Sequence, residues 1–571
     1  MNNNLFLAIF LSVGIWVGFQ YFYIKPQQEA IHAQYLARQV EGGTTTQTAA
    51  VPPPSALRDR GDVLKDSPRL PLETPELKGS LNLKGARLDD LLLTKIKETV
   101  APDSPPIALL SPSGSAKPLS AYYAELSWLA EKPDVAVPNA ETLWHTRDTK
   151  LSPDHPVTLT WDNGYGLIFT RMIAVDSEAM FTFTDRVVNK GAGDLTLYPF
   201  GTVARQGIPI NPSGSTVVHE GALGVLDGTL TEIKYKKLMD AGKKAQESKG
   251  GWLGITDKYW LVAMIPPQDD NLTASFTYHT AKDASPEDGY FQTDFRGAPI
   301  TVAAGGQIER IVHLFAGVKT VDRLDTYADR YDIPHFDRAI DFGWFYFLTR
   351  PFLFLLTLLT GFSGSVGMAI LLFTILLKLA TLPLSQKSYH SMARMKALQP
   401  EIQRIQTRFP DDKMRQGQET MELYKREKVS PMSGCVPMVI QIPIFFALYK
   451  VLYVSIEMRQ APFYGWIRDM SLPDPTNLFN AFGALHFDPP TMLHVGIWPL
   501  LMGGIMFLQQ KLSPQPTDKS QARIFLLMPV FFTWMLASMP AGLVIYWTWS
   551  NLLGIAQQWY IMRKDLRKKG A

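Results

Sequence analysis

Thr374, Lys378, Thr381 and Ser385 recur at i, i+4, i+7 and i+11 along residues 367–385, GMAILLFTILLKLATLPLS. That spacing puts them on one face of a helix that is otherwise apolar. Hydroxyls around one cation make no bond-breaking device; they can hold an anionic group. A charge at this depth costs about 3 kcal/mol on insertion scales. Two readings of Lys378 stay open from the stretch alone. It lies six residues before Leu384, roughly 9 Å along the axis, so its stem could snorkel to the headgroups; or the cation serves a function.

The other polar residues inside long apolar runs are Gln441, Tyr546, Ser550 and Asn551, with Tyr546 and Ser550 again at i, i+4. These runs contain no Asp or Glu, which argues against a proton or ion relay and against a structural ion pair for Lys378. Faces converging on Lys378 would form a wet, positively charged cavity open to the cytoplasm. Taken singly, Gln441, Ser550 and Asn551 suit helix–helix hydrogen bonding, and Tyr546, Trp547 and Trp549 suit packing. Lys450 sits near the outer end of its run and is expected to snorkel. No G-x-x-x-x-G-K-[ST] occurs, His219-Glu220 lacks the second histidine of a zincin motif, residues 361–365 do not form G-x-S-x-G, and no Cys/His cluster suggests a metal. Neither an enzyme nor a cofactor is expected.

These residues must be positioned by a membrane domain. The chain has 571 residues, a net charge of +3 and 46% hydrophobic content, most of its long apolar runs lying beyond residue 344. A near-neutral balance gives no case for a nucleic-acid site, and the single Cys435 excludes an internal disulfide. Residues 5–24 are long enough to span. The leader MNNN lacks Lys and Arg and aromatic residues close the run, so residues 1–24 are expected to be an uncleaved anchor. Residues 25–75, rich in Gln, Ala, Thr and Pro, suit a flexible linker. Residues 76–334 carry short Val/Ile/Thr/Tyr/Phe runs punctuated by turn residues, which predicts an all-β two-sheet sandwich with helices only at 122–130 and 324–331. Residues 335–362 are interrupted by Arg350-Pro351 and fit an interfacial helix. The membrane domain, 363–571, then has spans at about 366–384, 435–456, 495–510, 524–538 and 542–561. Residues 385–434 form a charged helical hairpin broken near Pro410, and residues 562–571 a basic tail. The fold class is a polytopic α-helical membrane protein of six spans with an all-β domain.

Charge orients it. The hairpin holds Lys387, Arg394, Lys396, Arg404, Arg408, Lys413, Arg415, Lys425, Arg426 and Lys428; the tail holds Arg563, Lys564, Arg567, Lys568 and Lys569. The hairpin, the loop at 511–523 and the tail are therefore expected in the cytoplasm and the β domain outside. Counting residues 344–362 as a seventh span would break that parity.

An inner-side cation in a hydrophilic half-channel lowers the cost of carrying a polar, acidic segment part-way across, and short fourth and fifth spans suggest thin membrane. The stretches PEIQRIQTRFPDDKMRQGQETMELYKREKVSPMSGCVPMVIQIPIFFALYKVL, EMRQAPFYGWIRDMSLPDP and PAGLVIYWTWSNLLGIAQQW resemble the YidC/Oxa family over about residues 343–569. The resemblance implies membrane protein insertion and chaperoning in a bacterial inner membrane. It implies a five-helix core and a groove cation at the position of Lys378, where arginine is typical; lysine keeps the charge but loses the bidentate fork. It also implies nascent membrane proteins as clients, cooperation with the Sec translocon, ribosome contact through the hairpin and tail, and membrane lipid around the chain. LNLKGARLDDLLL and the β-rich region resemble the large periplasmic domain of the Gram-negative form, similar to galactose-mutarotase-like supersandwiches with no activity implied. Two other readings compete. An anchored periplasmic carbohydrate-binding or carbohydrate-modifying protein would leave the polytopic half idle, and a secondary transporter fits poorly with spans free of carboxylates.

Overall fold

The structure, a computed structural model, describes residues 57–209, 218–280, 285–410, 412–427, 429, 436–487, 489–490, 493–512 and 519–569; the side chains of 413, 436–438, 519–522 and 562–569 are excluded. The expected anchor, most of the linker, Lys428 and Cys435 lie outside these residues, as do the side chains of Lys413 and of the basic tail. The described residues up to 512 and from 526 to 569 form one compact unit.

Two antiparallel sheets make the β domain. The larger, of ten strands, runs in the order Arg69–Glu73, Leu77–Asn82, Arg87–Lys97, Tyr122–Ala130, Leu195–Gln206, Tyr290–Gly297, Asn271–His279, Lys243–Lys249, with Pro106–Leu110 and Ile300–Val302 attached at its side. The smaller has eight strands, including Leu167–Val175, Met180–Asn189, Trp252–Thr256, Trp260–Ile265 and Gln307–Val318. Alternation supplies the shared core: Leu126, Phe169, Phe181, Val203, Phe276, Phe291 and Phe295 all point between the sheets. A buried ion pair sits there. Arg171, 0% exposed, pairs with both oxygens of Asp185 at 2.7 Å and donates to the Leu126 carbonyl of the opposite sheet at 2.9 Å, while Trp128 Nε1 donates to Asp185 at 3.0 Å. Such a pair is tolerated because both carboxylate oxygens and all three guanidinium nitrogens find partners.

Two expectations are corrected here. Residues 122–130, YYAELSWLA, form a strand and not a helix. The strand Tyr122–Ala130 pairs along its length with Leu195–Gln206 and meets Arg87–Lys97 at Leu88–Ala124. Its Ala, Glu and Leu favour a helix locally, and burial between two strands overrides that weak preference. The linker also ends earlier than residue 75. Helix α1 (Arg60–Val63) and the strand Arg69–Glu73 are already part of the domain, anchored by Arg69 to Asp89 and Arg60 to Asp90. Helix α2 is Tyr235–Ala241, and helix α3, Val321–Tyr331, matches the helix expected at 324–331.

The helical region follows. Helix α4 is Tyr346–Ser363, with Pro351 inside it; by length and composition it could cross a membrane. Helix α5 is Val366–Ala380 and α6 is Leu382–Ala397, bent 65° from it. Helix α7, Gln399–Arg408, starts after a break at Leu398 that accompanies Pro400. Helix α8 is Lys413–Arg426, its N-terminus capped by Asp412, which accepts from the Arg415 amide at 2.9 Å. Tyr389, Ile402, Leu423 and Val429 are buried among the described residues of this hairpin. Helices α9 (Val436–Val454), α10 (Ile497–Leu512), α11 (Lys519–Leu536) and α12 (Ala541–Lys569) complete the bundle. Helix α12 runs as one helix through the basic tail. An unbroken apolar cluster joins the two regions, from Leu223, Trp252 and Phe336 through Leu356, Phe373 and Leu448 to Ile545.

Candidate functional site

Helix α5 stops where Thr381, Leu382 and Pro383 change its direction. Lys378 therefore occupies its last turn, where the helix dipole favours a cation. Gln557 Nε2 of α12 donates to the Lys378 carbonyl at 3.3 Å, satisfying one of the acceptors a helix end leaves open. The ammonium faces Gly554 of α12: a Cβ built there would lie 4.0 Å from Lys378 Nζ, 3.8 Å from the Tyr389 hydroxyl and 3.5 Å from Gln509 Nε2. A lysine head, a phenol and an amide thus meet over the Gly554 backbone. Among the described residues no carboxylate pairs with Lys378.

The expected stripe is only partly a stripe. Thr374, 1% exposed, donates its hydroxyl to Ile370 O at 2.6 Å, and Thr381 donates to Leu377 O at 3.0 Å. Both hydroxyls are turned back onto their own helix. On α12 the polar face is Tyr546, Ser550 and Gly554, spaced by four. Tyr546 is 1% exposed and accepts from Gln441 Nε2 of α9 at 2.9 Å. Eight residues separate Tyr546 from Gly554, about 12 Å along the axis. Lys378 and the Gln441–Tyr546 pair thus occupy the two ends of one stripe, with Ser550, itself buried, midway. Trp547 packs at 4.4 Å on Phe445 and 5.9 Å on Phe532, as expected of a packing residue. The Asn551 amide nitrogen and Trp549 Nε1 are buried without a hydrogen-bond partner among the described residues.

Lys450 corrects the sequence expectation. It does not snorkel. It is 7% exposed and its Nζ lies 2.8 Å from Asp341 Oδ2, an acceptor supplied by the segment leaving the β domain. The hairpin cations Arg394, Lys396, Arg404, Arg415, Lys425 and Arg426 all stand in solvent on α6, α7 and α8; Arg426 is 3.5 Å from Glu401. Tyr389, Gln509, Gly554 and Gln557 were not legible as site residues. The four-residue step from Ser550 to Gly554 was the available signal for one of them.

The family model described as the YidC periplasmic domain matches residues 69–355, and that described as the 60Kd inner membrane protein matches residues 358–569. A membrane protein insertase YidC from Beijerinckia indica is 46% identical over 99% of this chain and 96% of its own length. One from Granulibacter bethesdensis is 47% identical over 99% and 98%. Among solved structures, an active YidC insertase with its first transmembrane domain resolved aligns with 85% of this chain and 90% of its own, at 15% identity and a TM-score of 0.35. The sequence relatives alone define a membrane protein insertase, not an enzyme, and leave no support for a carbohydrate-binding role. The chain belongs to the YidC family of the inner membrane, with a periplasmic β domain ahead of its helical region.

Proposed function

We propose that the chain receives nascent membrane proteins at the cytoplasmic end of the α5–α12 stripe, where Lys378 draws acidic residues of a translocated segment into a polar groove. The observation that carries this is the meeting of Lys378, Tyr389 and Gln509 at the Gly554 gap, with no carboxylate paired to the cation among the described residues. An unpaired, half-buried ammonium is costly unless an anionic partner arrives from outside. Thr374, Thr381, Gln441, Tyr546, Trp547, Ser550 and Asn551 shape the groove wall. The client's apolar helix then leaves for lipid, which supplies the driving force. Six spans place the hairpin and the basic end of α12 in the cytoplasm. There Arg394, Lys396, Arg404, Lys413, Arg415, Lys425 and Arg426 of the hairpin, with Arg563, Lys564, Arg567, Lys568 and Lys569, meet the ribosome or client. The Sec translocon is a further partner. Helix α4 lies along the outer membrane face, a reading supported by Arg350, whose guanidinium is 2.6 Å from Asp325 and 3.5 Å from Asp337 of the β domain.

Crosslinking tests this. A stalled nascent membrane protein bearing an acidic segment is offered to full-length chains with single cysteines at 378, 441 or 554 in a Cys435→Ser background. Adducts at 378 and 554 that precede those at 441 as the nascent chain lengthens support the reading. Adducts confined to lipid-facing control positions overturn it.

A further inference from the structure

A cavity of about 1080 Å³ lies away from Lys378, between α4, the start of α3 and the end of α9. That volume is at the upper edge of ordinary ligand pockets. One wall is the outward stripe of α4, Phe347, Phe354, Leu358 and Phe362, which are 68, 70, 59 and 84% exposed. They recur at helical spacing and carry no polar atom on their side chains. The polar edge combines both signs: the Arg350 guanidinium, and the carboxylates of Asp322 and Glu457. Neither of these carboxylates forms an ion pair among the described residues, whereas Arg350 is already shared between Asp325 and Asp337.

We infer that this cavity seats one zwitterionic phospholipid, its acyl chain along the α4 stripe and its headgroup on the charged edge. Three observations select this occupant. The wall belongs to a helix apolar enough to lie in a bilayer. A continuous aromatic and aliphatic stripe this exposed is not left to water. The edge suits a head that carries a phosphate and an ammonium together: the Arg350 donors left over from Asp325, Asp337 and Tyr346 are offered to the phosphate, and Asp322 and Glu457 to the ammonium. A purely anionic head would meet two carboxylates. The inference rests on α4 lying at the membrane surface and is independent of what Lys378 does.

The test uses the full chain in nanodiscs containing either phosphatidylethanolamine or phosphatidylglycerol with the same photoactivatable acyl chain, and maps adducts by mass spectrometry. Adducts on residues 347–362 are expected to favour phosphatidylethanolamine. Asp322→Lys with Glu457→Lys should reverse the preference by about threefold per position, the scale of an exposed ion pair. Leu358→Gln should lower labelling by both lipids. Equal labelling by both lipids, unchanged by the charge reversal, would overturn the seat in favour of ordinary boundary lipid. Protection of the stripe by a client peptide or by residues 5–24, with lipid excluded, would also overturn it. Insertion measured in the same nanodiscs separates this outcome from a failure of the groove.

Discussion

Lys450 and Asp341 form an ion pair of 2.8 Å that crosses from helix α9 to the segment leaving the β domain. Asp341 is shared further: the His219 amide donates to its Oδ2 at 2.9 Å and the Gly343 amide to its Oδ1 at 3.1 Å. One carboxylate therefore joins a β-domain loop, the connector and helix α9. A second link lies nearby, where the Arg459 guanidinium donates to the carbonyls of Lys97 and Glu98 at 3.2 and 2.9 Å and Gln460 Nε2 to Lys97 O at 2.8 Å. The β domain is tied to the helices by polar contacts that the sequence pattern did not announce.

Lys450→Met leaves the partly exposed Asp341 beside an uncharged chain and is expected to destabilise the protein by about 2 kcal/mol. Adding Asp341→Asn should recover part of that loss, because the uncompensated charge is removed, although the single amide oxygen can accept from only one of the His219 and Gly343 amides. Thermal unfolding of the purified full chain, read as a double-mutant cycle, checks this. Additive losses would mean that the pair has no coupling.

Asp294 gives a pH-dependent prediction in the β domain. Burial raises its carboxyl to about 6, against the opposing pull of Lys243 and a 3.3 Å bond from Gln292. The folded chain thus keeps a proton that the unfolded chain has already lost, so this contribution falls as pH rises from about 4 to about 6. Asp294→Asn should stabilise the domain by roughly 2 kcal/mol at pH 7.5 and have little effect at pH 4. Circular-dichroism melts of the full chain at both values test the sign; equal effects at both would remove the buried acid from the account.

His219 has the opposite dependence. Burial lowers its imidazole to about 4, partly offset by a 3.0 Å contact with the Ala222 carbonyl. Its contribution is complete above about 6.5 and is lost as pH falls toward 4. His219→Gln should flatten the acid limb of the same melts, and an unaltered limb would contradict the assignment.

Tyr546→Phe removes the acceptor of Gln441 Nε2 and should cost about 1 kcal/mol of stability while leaving insertion near the parent level. The tyrosine is too buried to be a primary client contact. Loss of insertion at unchanged stability would make it one.

Much of the architecture was legible. The Val-, Ile- and Thr-rich runs anticipated strands such as Leu167–Val175 and Met180–Asn189, and the Pro410-Asp411-Asp412 break anticipated the turn before α8. The strand Tyr122–Ala130 was not legible, because its residues favour helix and only its neighbours decide otherwise. Lys378 was legible as a charge out of place. Its companions were not: Tyr389 and Gln509 come from α6 and α10, and only the chain's three-dimensional path brings them to Gly554. Lys450 was expected to snorkel, which was one of the two readings of Lys378. What distinguishes them is a carboxylate 109 residues earlier in the chain that only the fold delivers.

The most direct test of the central claim compares Lys378→Ala and Lys378→Arg as the sole copy of the insertase, scoring insertion of one client with an acidic translocated segment and one with a neutral segment. The account predicts that alanine impairs the acidic client about tenfold, the scale of one desolvated charge interaction, and spares the neutral one, while arginine supports both. Insertion of the acidic client by the alanine variant at the parent rate would contradict it and leave Lys378 as an anchor in the headgroups.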